Sequence, residues 1–152
     1  MRRLGLIFAS AFGVGYMPWA SGTFGTLWAV LVFYLTRHWA PTAFLGLWAA
    51  VFALSILSSH YAEQALGQHD SSVIVIDEVI GYLTAVLFVP YHFWNLVLAF
   101  VLFRFFDIVK PPPIRQIDRG LPGAWGVVLD DVLAGVFANL VLRLIWLGWR
   151  PA

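Results

Sequence analysis

Five apolar segments, set apart by prolines and polar stretches, constrain the fold of this chain more than any other feature. They lie at about residues 24–39, 42–58, 73–89, 93–108 and 125–146. Several are shorter than the ~20 apolar residues of an ordinary transmembrane helix. Because 61% of the 152 residues are hydrophobic and only 11% are charged, a soluble domain of this size could not bury so much apolar surface. The sequence therefore predicts an all-α integral membrane bundle of about five short spans.

The N-terminal segment has two interpretations. Residues 1–21 begin with two arginines, continue through an apolar stretch and end in small residues, a pattern that is also typical of a secretory signal peptide. Cleavage near Ala20 would fall just before residues 21–26, which we expect to be functional. We therefore expect an apolar N-terminal segment that lies on the membrane or dips into it, within one domain that covers residues 1–152.

The basic residues favour one orientation. With the N-terminus in the cytoplasm, six basic residues lie on the cytoplasmic side and three on the other, as the positive-inside rule predicts. The cytoplasmic set is Arg2, Arg3, Arg104, Lys110, Arg115 and Arg119, and the other set is Arg37, Arg143 and Arg150. A net charge of +1 gives no reason to expect a nucleic-acid partner. The absence of cysteine excludes thiolate metal sites and a cysteine nucleophile.

Five carboxylates interrupt the apolar segments, although an ionised carboxylate in hydrocarbon costs on the order of a few kcal/mol. Asp77 and Glu78 begin the third segment, Asp107 ends the fourth, and Asp130 and Asp131 begin the fifth. If successive spans alternate in direction, all of these ends lie at the cytoplasmic face. Carboxylates that lie close together repel unless a cation intervenes, and oxygen ligands suit Mg²⁺ or Mn²⁺. The sequence therefore predicts a metal site at this face.

Cations and a glycine-containing turn near the same face suggest a phosphate ligand. The nearby cations are Arg104, Lys110, Arg115 and Arg119. Lysine and arginine beside a carboxylate-held metal make a phosphate pocket, and backbone N–H groups at a helix start within residues 21–26 could bind an anion. Simpler interpretations exist: Asp130 and Asp131 as a charged helix start, Arg104 and Asp107 as a local ion pair, and Glu63 and Asp70 as a solvated face.

Four motifs resemble those of the phosphatidylglycerophosphatase A family: SGTFGT (21–26), IDEVIG (76–81), FRFFDIVKPPPIRQIDR (103–119) and LDDVLAG (129–135). The resemblance implies a Mg²⁺-dependent, all-helical phosphatase of the bacterial inner membrane with its active site facing the cytoplasm. Such an enzyme removes the terminal phosphate of phosphatidylglycerophosphate to give phosphatidylglycerol. The matching positions are Thr23, Asp77, Glu78, Asp107, Lys110, Arg115, Asp118, Asp130 and Asp131. This sequence departs from the family's pattern at Pro112 and at residues 121–125, and neither departure removes a charged residue.

These residue types fit phosphomonoester hydrolysis, which needs charge neutralisation, positioning and an activated water. We expect the five carboxylates to bind metal or activate water, and Thr23, Lys110 and Arg115 to hold the substrate phosphate. Which carboxylate acts as the base is left open, as is the oligomeric state.

Three alternatives stand beside this hypothesis. A carboxylate-gated carrier or channel would place its acids at mid-span, whereas here they lie at span ends beside cations. Another Mg²⁺-dependent lipid headgroup enzyme, a phospholipid alcohol transferase, would show a characteristic aspartate spacing that this sequence lacks. A purely structural membrane subunit gives no reason for the clustered charge. The expected partners are therefore phosphatidylglycerophosphate and membrane lipids.

Overall fold

The computed structural model describes residues 2–68 and 71–148, and all regular structure in this part of the chain is helical. The helices are α1 (Arg2–Ala9), α2 (Ser21–Leu35), α3 (Pro41–Leu66), α4 (Ile76–Ala85), α5 (Phe93–Val109), α6 (Ile114–Gly120) and α7 (Ala124–Gly148), with a short 3-10 helix at Val14–Tyr16. The all-α prediction is confirmed.

The helix limits differ from the predicted segments mainly at two polar stretches, residues 60–72 and 110–123. α3 continues to Leu66, eight residues beyond the end of the predicted second segment. No proline or glycine lies between residues 47 and 66, and the helix ends at Gly67, which adopts the left-handed conformation that glycine tolerates. The second polar stretch contains α6, which the sequence did not predict. Asp70 lies outside the described residues.

The predicted third segment, 73–89, is helical only over α4. Its last residues form a turn in which Phe88 has a φ of 58°, just before Pro90. Almost every residue of α4 is buried, because the helix packs between α2 and α7. α4 is therefore the central helix of the bundle.

Two glycines allow α4 and α7 to approach each other through their backbones. A Cβ atom on Gly135 would overlap the carbonyl oxygen of Gly81, and one on Gly81 would lie 2.9 Å from the carbonyl oxygen of Asp131. Small residues at such a contact are typical of closely packed membrane helices. The contact fixes the start of α4 against the acidic turn of α7.

The N-terminal segment is part of the packed structure. α1 lies against α3, where Gly5 faces Tyr61, and the carbonyl of Ala9 accepts a hydrogen bond of 2.8 Å from the Val75 amide. Gly15 fits against the backbone of Val73. This segment therefore supports the residues that lead into α4.

Among the helices that the structure describes, α3 is long and apolar enough to cross a membrane, and α2 is a shorter apolar helix. Large apolar side chains are exposed on α2, α5 and α7, including Leu27, Leu31, Trp94, Val101, Phe105, Leu140 and Leu144. An apolar surface of this extent is typical of contact with lipid or with another protein.

Candidate active site

Three carboxylates from two helices meet at one end of the bundle. Asp77 and Glu78, in the first turn of α4, and Asp131, in α7, each offer an oxygen atom, and these atoms lie within 4.8 Å of one another. Asp77 is 6% exposed and Asp131 4% exposed. We call these three residues the carboxylate triad. The proximity expected from the alternating direction of the segments is therefore confirmed for these residues.

The sequence suggested that Asp130 and Asp131 form the start of a helix, but they lie further along α7. α7 starts at Ala124, so Asp131 is its eighth residue and lies in the third turn. The helix macrodipole acts mainly within the first turn, so it does not account for two acids at this depth. Asp77 and Glu78 do lie in the first turn of α4, where the dipole favours negative charge.

Each of the other two carboxylates pairs with a cation. Arg104 Nη1 donates to Asp107 Oδ2 at 2.7 Å, and Lys110 Nζ donates to Asp130 Oδ2 and, at 3.1 Å, to Asp118 Oδ1. The charges of Asp107 and Asp130 act on Asp131 together with those of Asp77 and Glu78. The five predicted carboxylates therefore form one electrostatic group, consisting of the triad and two flanking ion pairs.

The environment of Lys110 favours the protonated form of its side chain. It caps the C-terminus of α5 in a left-handed conformation, with a φ of 46°. Burial lowers the pKa of its ammonium group, but the hydrogen bonds and charges of Asp130 and Asp118 outweigh burial and raise that pKa above its usual value. Lys110 is therefore protonated throughout the neutral pH range.

Two carboxylate oxygens in this group are buried without a partner. Within the described part of the chain, Glu78 Oε2 and Asp130 Oδ1 accept no hydrogen bond. A buried carboxylate oxygen without a partner is costly, so each such atom in a native structure calls for an explanation. A bound cation beside Glu78 and a substrate or water proton near Asp130 would each supply one.

Gly22 makes room for a contact between three helices. A Cβ atom at this position, in the first turn of α2, would overlap Glu78 Oε1 and lie 3.1 Å from Arg104 Nη1. The start of α2, the start of α4 and the last turns of α5 therefore converge beside the triad. The local ion pair of Arg104 with Asp107, which the spacing of three residues suggested, is present in the structure.

The sequence model of the phosphatidylglycerophosphatase A family matches residues 7–146. The chain belongs to this family. All of the carboxylates and cations described above fall within the matched range, and the resemblance seen in the four motifs is confirmed.

Relatives within and around this family are similar over most of their length. A phosphatidylglycerophosphatase A of Haemophilus influenzae is 37% identical, over 91% of this chain and 86% of its own, and that of Escherichia coli is 34% identical, over 94% and 84%. A Bacteroides thetaiotaomicron protein, provisionally named phosphatidylinositol-3-phosphatase, is 36% identical over 93% and 92%. No solved structure matches the chain.

Two of the residues predicted to bind phosphate, Thr23 and Arg115, bond to backbone carbonyls. Arg115, in α6, is exposed and donates to the carbonyl of Val109 at 3.2 Å. Thr23 is half-buried in the first turn of α2, and its amide donates to the carbonyl of Ala20 at 2.8 Å. Of the three residues expected to hold phosphate, only Lys110 bonds directly to one of the five carboxylates.

The triad fits a hard divalent cation. Its ligand atoms are all carboxylate oxygens, its side chains are largely buried, and Glu78 Oε2 lacks a protein partner among the described residues. Mg²⁺ is bound by a small number of carboxylates and keeps several waters, which this donor set permits.

Proposed function

We propose that this chain hydrolyses the terminal phosphomonoester of phosphatidylglycerophosphate, giving phosphatidylglycerol and inorganic phosphate, as a step of phospholipid biosynthesis. The observation that carries the proposal is the meeting of a carboxylate triad with two cation–carboxylate pairs, in a chain of the phosphatidylglycerophosphatase A family. Its relatives in Escherichia coli and Haemophilus influenzae bear the name of that activity.

The triad of Asp77, Glu78 and Asp131 is the proposed Mg²⁺ site, with Asp107 and Asp130 as its neighbours. The bound ion would offset negative charge on the phosphoryl oxygens, which is the main electrostatic requirement of phosphoryl transfer. The buried, unpartnered oxygen of Glu78 supports this assignment, because a cation would compensate it.

Lys110 and Arg104 are the proposed phosphate-holding cations. Lys110 bonds to Asp130, and Arg104 lies with Glu78 beside Gly22. A guanidinium has five N–H donors, and the ion pair with Asp107 engages Nη1, so Arg104 can bind Asp107 and a phosphate together. Thr23 and Arg115 are proposed as outer contacts to the lipid headgroup.

Asp130 is the proposed general base. Lys110 fixes Asp130 Oδ2, which leaves the buried Oδ1 to take a proton from the attacking water. The water oxygen forms the new bond to phosphorus, the bond from phosphorus to the glycerol oxygen breaks, and that oxygen leaves as a hydroxyl after protonation from solvent. Asp118 orients Lys110 and does not touch the substrate in this scheme.

We also propose that the chain is a multi-pass protein of the bacterial inner membrane, with about five short spans and a cytoplasmic active site. The exposed apolar surfaces of α2, α5 and α7 and the apolar character of α3 support this placement. The triad lies at the start of α4, and Asp107 at the end of α5, so substrate would be bound at the membrane surface where its headgroup resides.

The other functions considered for the sequence have less support. A carrier or channel would need acids along a path through the bilayer, whereas these lie together at one end of the bundle and pair with cations. One competing substrate deserves a direct comparison, because the Bacteroides thetaiotaomicron relative is named for a phosphoinositide.

The test is phosphate release by the purified protein in detergent micelles. Phosphatidylglycerophosphate and phosphatidylinositol 3-phosphate are supplied separately, each with Mg²⁺ or with EDTA. We expect Mg²⁺-dependent release that is faster from phosphatidylglycerophosphate. No release from either lipid would contradict the proposal, faster release from the phosphoinositide would change the substrate, and full activity in EDTA would remove the metal.

A further inference from the structure

A crevice of about 290 Å³ opens at the end of the bundle opposite to the triad. It lies between the end of α2, the start of α3 and residues 86–91, which join α4 to α5. Its walls are mainly aromatic and aliphatic and include Phe33, Phe44, Val86 and Phe88. Nothing in the proposed phosphatase reaction uses this crevice.

One cation, Arg37, lies at the rim of the crevice. Its guanidinium stacks 4.2 Å from the centre of the Tyr34 ring, and Nη1 donates to the Tyr34 carbonyl at 2.8 Å. No ion pair among the described residues includes Arg37. The side chain is therefore oriented by Tyr34, in the last turn of α2, while most of its five donors are left for a ligand.

The described carboxylates lie at the other ends of the helices that form the crevice. Glu63 is 19 residues after Phe44 on α3, about 29 Å along the helix, and Glu78 is eight residues before Val86, about 12 Å away. Asp107 is near the end of α5, whereas the crevice adjoins its start. An anion beside Arg37 therefore meets a cation without a competing acid among the described residues.

A neighbouring crevice of about 280 Å³ shares Phe88, Val89 and Pro90 and has its own arginine, Arg143. This guanidinium is already engaged: Nε donates to Asn139 Oδ1 at 2.7 Å and Nη2 to the Leu87 carbonyl at 3.1 Å. Asn139 itself donates to the Ala85 carbonyl at 2.8 Å, so both side chains cap the C-terminus of α4. Arg143 therefore has a structural role at a crevice similar to that of Arg37.

We propose that the Arg37 crevice binds one anionic phospholipid, with the lipid phosphate on Arg37 and an acyl chain against Phe33 and Phe44. Guanidinium and phosphate form charge-assisted, often bidentate hydrogen bonds, and the apolar walls match hydrocarbon. Trp39, which is 51% exposed at the rim, is a residue type enriched at the membrane interface. Given the proposed membrane placement, this lipid belongs to the leaflet opposite to the active site.

The test uses phosphatidylserine, an anionic lipid whose phosphate is a diester and which carries no terminal phosphomonoester to engage the active site. Purified protein in detergent is given phosphatidylserine and phosphatidylcholine in equal amounts, and retained lipid is counted by native mass spectrometry. Both lipids present a phosphate to Arg37, but the choline ammonium neutralises the headgroup of phosphatidylcholine, whereas the headgroup of phosphatidylserine keeps a net negative charge. We therefore expect about tenfold preference for phosphatidylserine, which corresponds to about one charged contact.

Three variants make the result decisive. Arg37→Gln should remove the preference, whereas Arg143→Gln should keep it while lowering the melting temperature. Asp131→Asn should keep it while losing phosphatase activity, so that failure of the lipid site and failure of the proposed reaction are separate observations. Unchanged preference in Arg37→Gln, or a preference lost in Asp131→Asn instead, would overturn the proposal.

Discussion

The two ends of the helical bundle handle charge in opposite ways. At one end, five carboxylates share two flanking cations, and two of their buried oxygens have no partner within the described chain. At the other end, Arg143 donates to Asn139 and to the Leu87 carbonyl, whereas Arg37 donates only to the nearby Tyr34 carbonyl and has no ion pair among the described residues. In a chain with so few charged residues, we propose that the charged groups whose hydrogen-bonding capacity is least used are the ones that bind ligands.

The largest effect is expected from removing a triad carboxylate. Asp131→Asn should lower phosphate release by about 10³-fold, because loss of metal assistance costs several kcal/mol of transition-state stabilisation. The matched control is Asp118→Asn, which only loosens Lys110 and should cost about tenfold. Initial rates on phosphatidylglycerophosphate with Mg²⁺ compare the two variants. Equal losses in both would erase the distinction between the triad and its flanking ion pairs.

The contact between α4 and α7 provides the next test. Gly135→Ala would place a methyl group on the Gly81 carbonyl, so the helices must separate, at a cost of about 1–3 kcal/mol. Activity should fall with stability, because Asp131 moves away from Asp77 and Glu78. Gly46→Ala, where a methyl group would meet nothing within 4 Å, should be neutral or slightly stabilising by thermal denaturation. A harmless Gly135→Ala would show that this contact does not set the site.

Gly22→Ala should separate activity from stability. The added methyl group meets the flexible end of Glu78, which can move. The free energy of unfolding should therefore change by less than about 1 kcal/mol, and the melting temperature should change little. The displaced Glu78 and Arg104 should lower activity about tenfold, since small misplacements at a reacting site are costly. Phosphate release and thermal denaturation are measured on the same preparation, and full activity would argue against a role for this corner.

The smallest effect on activity is expected at the opposite end. Arg143→Gln removes two hydrogen bonds that cap α4 and should cost about 1–2 kcal/mol of stability, while phosphate release stays within about twofold of wild type. Arg37→Gln should change neither measurement, because this side chain, just after the end of α2, bonds only to the nearby Tyr34 among the described residues. A strong loss of activity in a folded Arg37→Gln protein would mean that the two ends act together.

Alternating segment direction was enough to predict which ends of the bundle would share the acids, because it depends only on the order of apolar segments and breaks. It could not predict that Asp130 and Asp131 would separate in role. Neighbouring residues on a helix point about 100° apart. One therefore bonds to Lys110 and the other faces α4, and which does which depends on the rotation of α7 in the bundle.

The helix limits in the polar stretches were harder to predict than the limits of the apolar segments. Apolar runs end clearly at Pro90 or Pro41, but residues 60–66 contain good helix formers without a break, so α3 continues through them until Gly67. α6 follows three prolines and is held by its contact with α7, where the missing side chain of Gly126 admits the carbonyl of Leu121. That packing cannot be read from local sequence.

The backbone contact between Gly81 and Gly135 has a consequence for ion selectivity. With no side chain between the two helices, the backbones that carry the triad are held at a fixed separation, which limits how far its carboxylates can spread. A cluster of few oxygens that cannot spread suits a small ion and disfavours a larger ion that needs six to eight ligands. Under the proposed function, Ca²⁺ should therefore compete poorly with Mg²⁺, and α4 and α7 should not separate to admit the lipid.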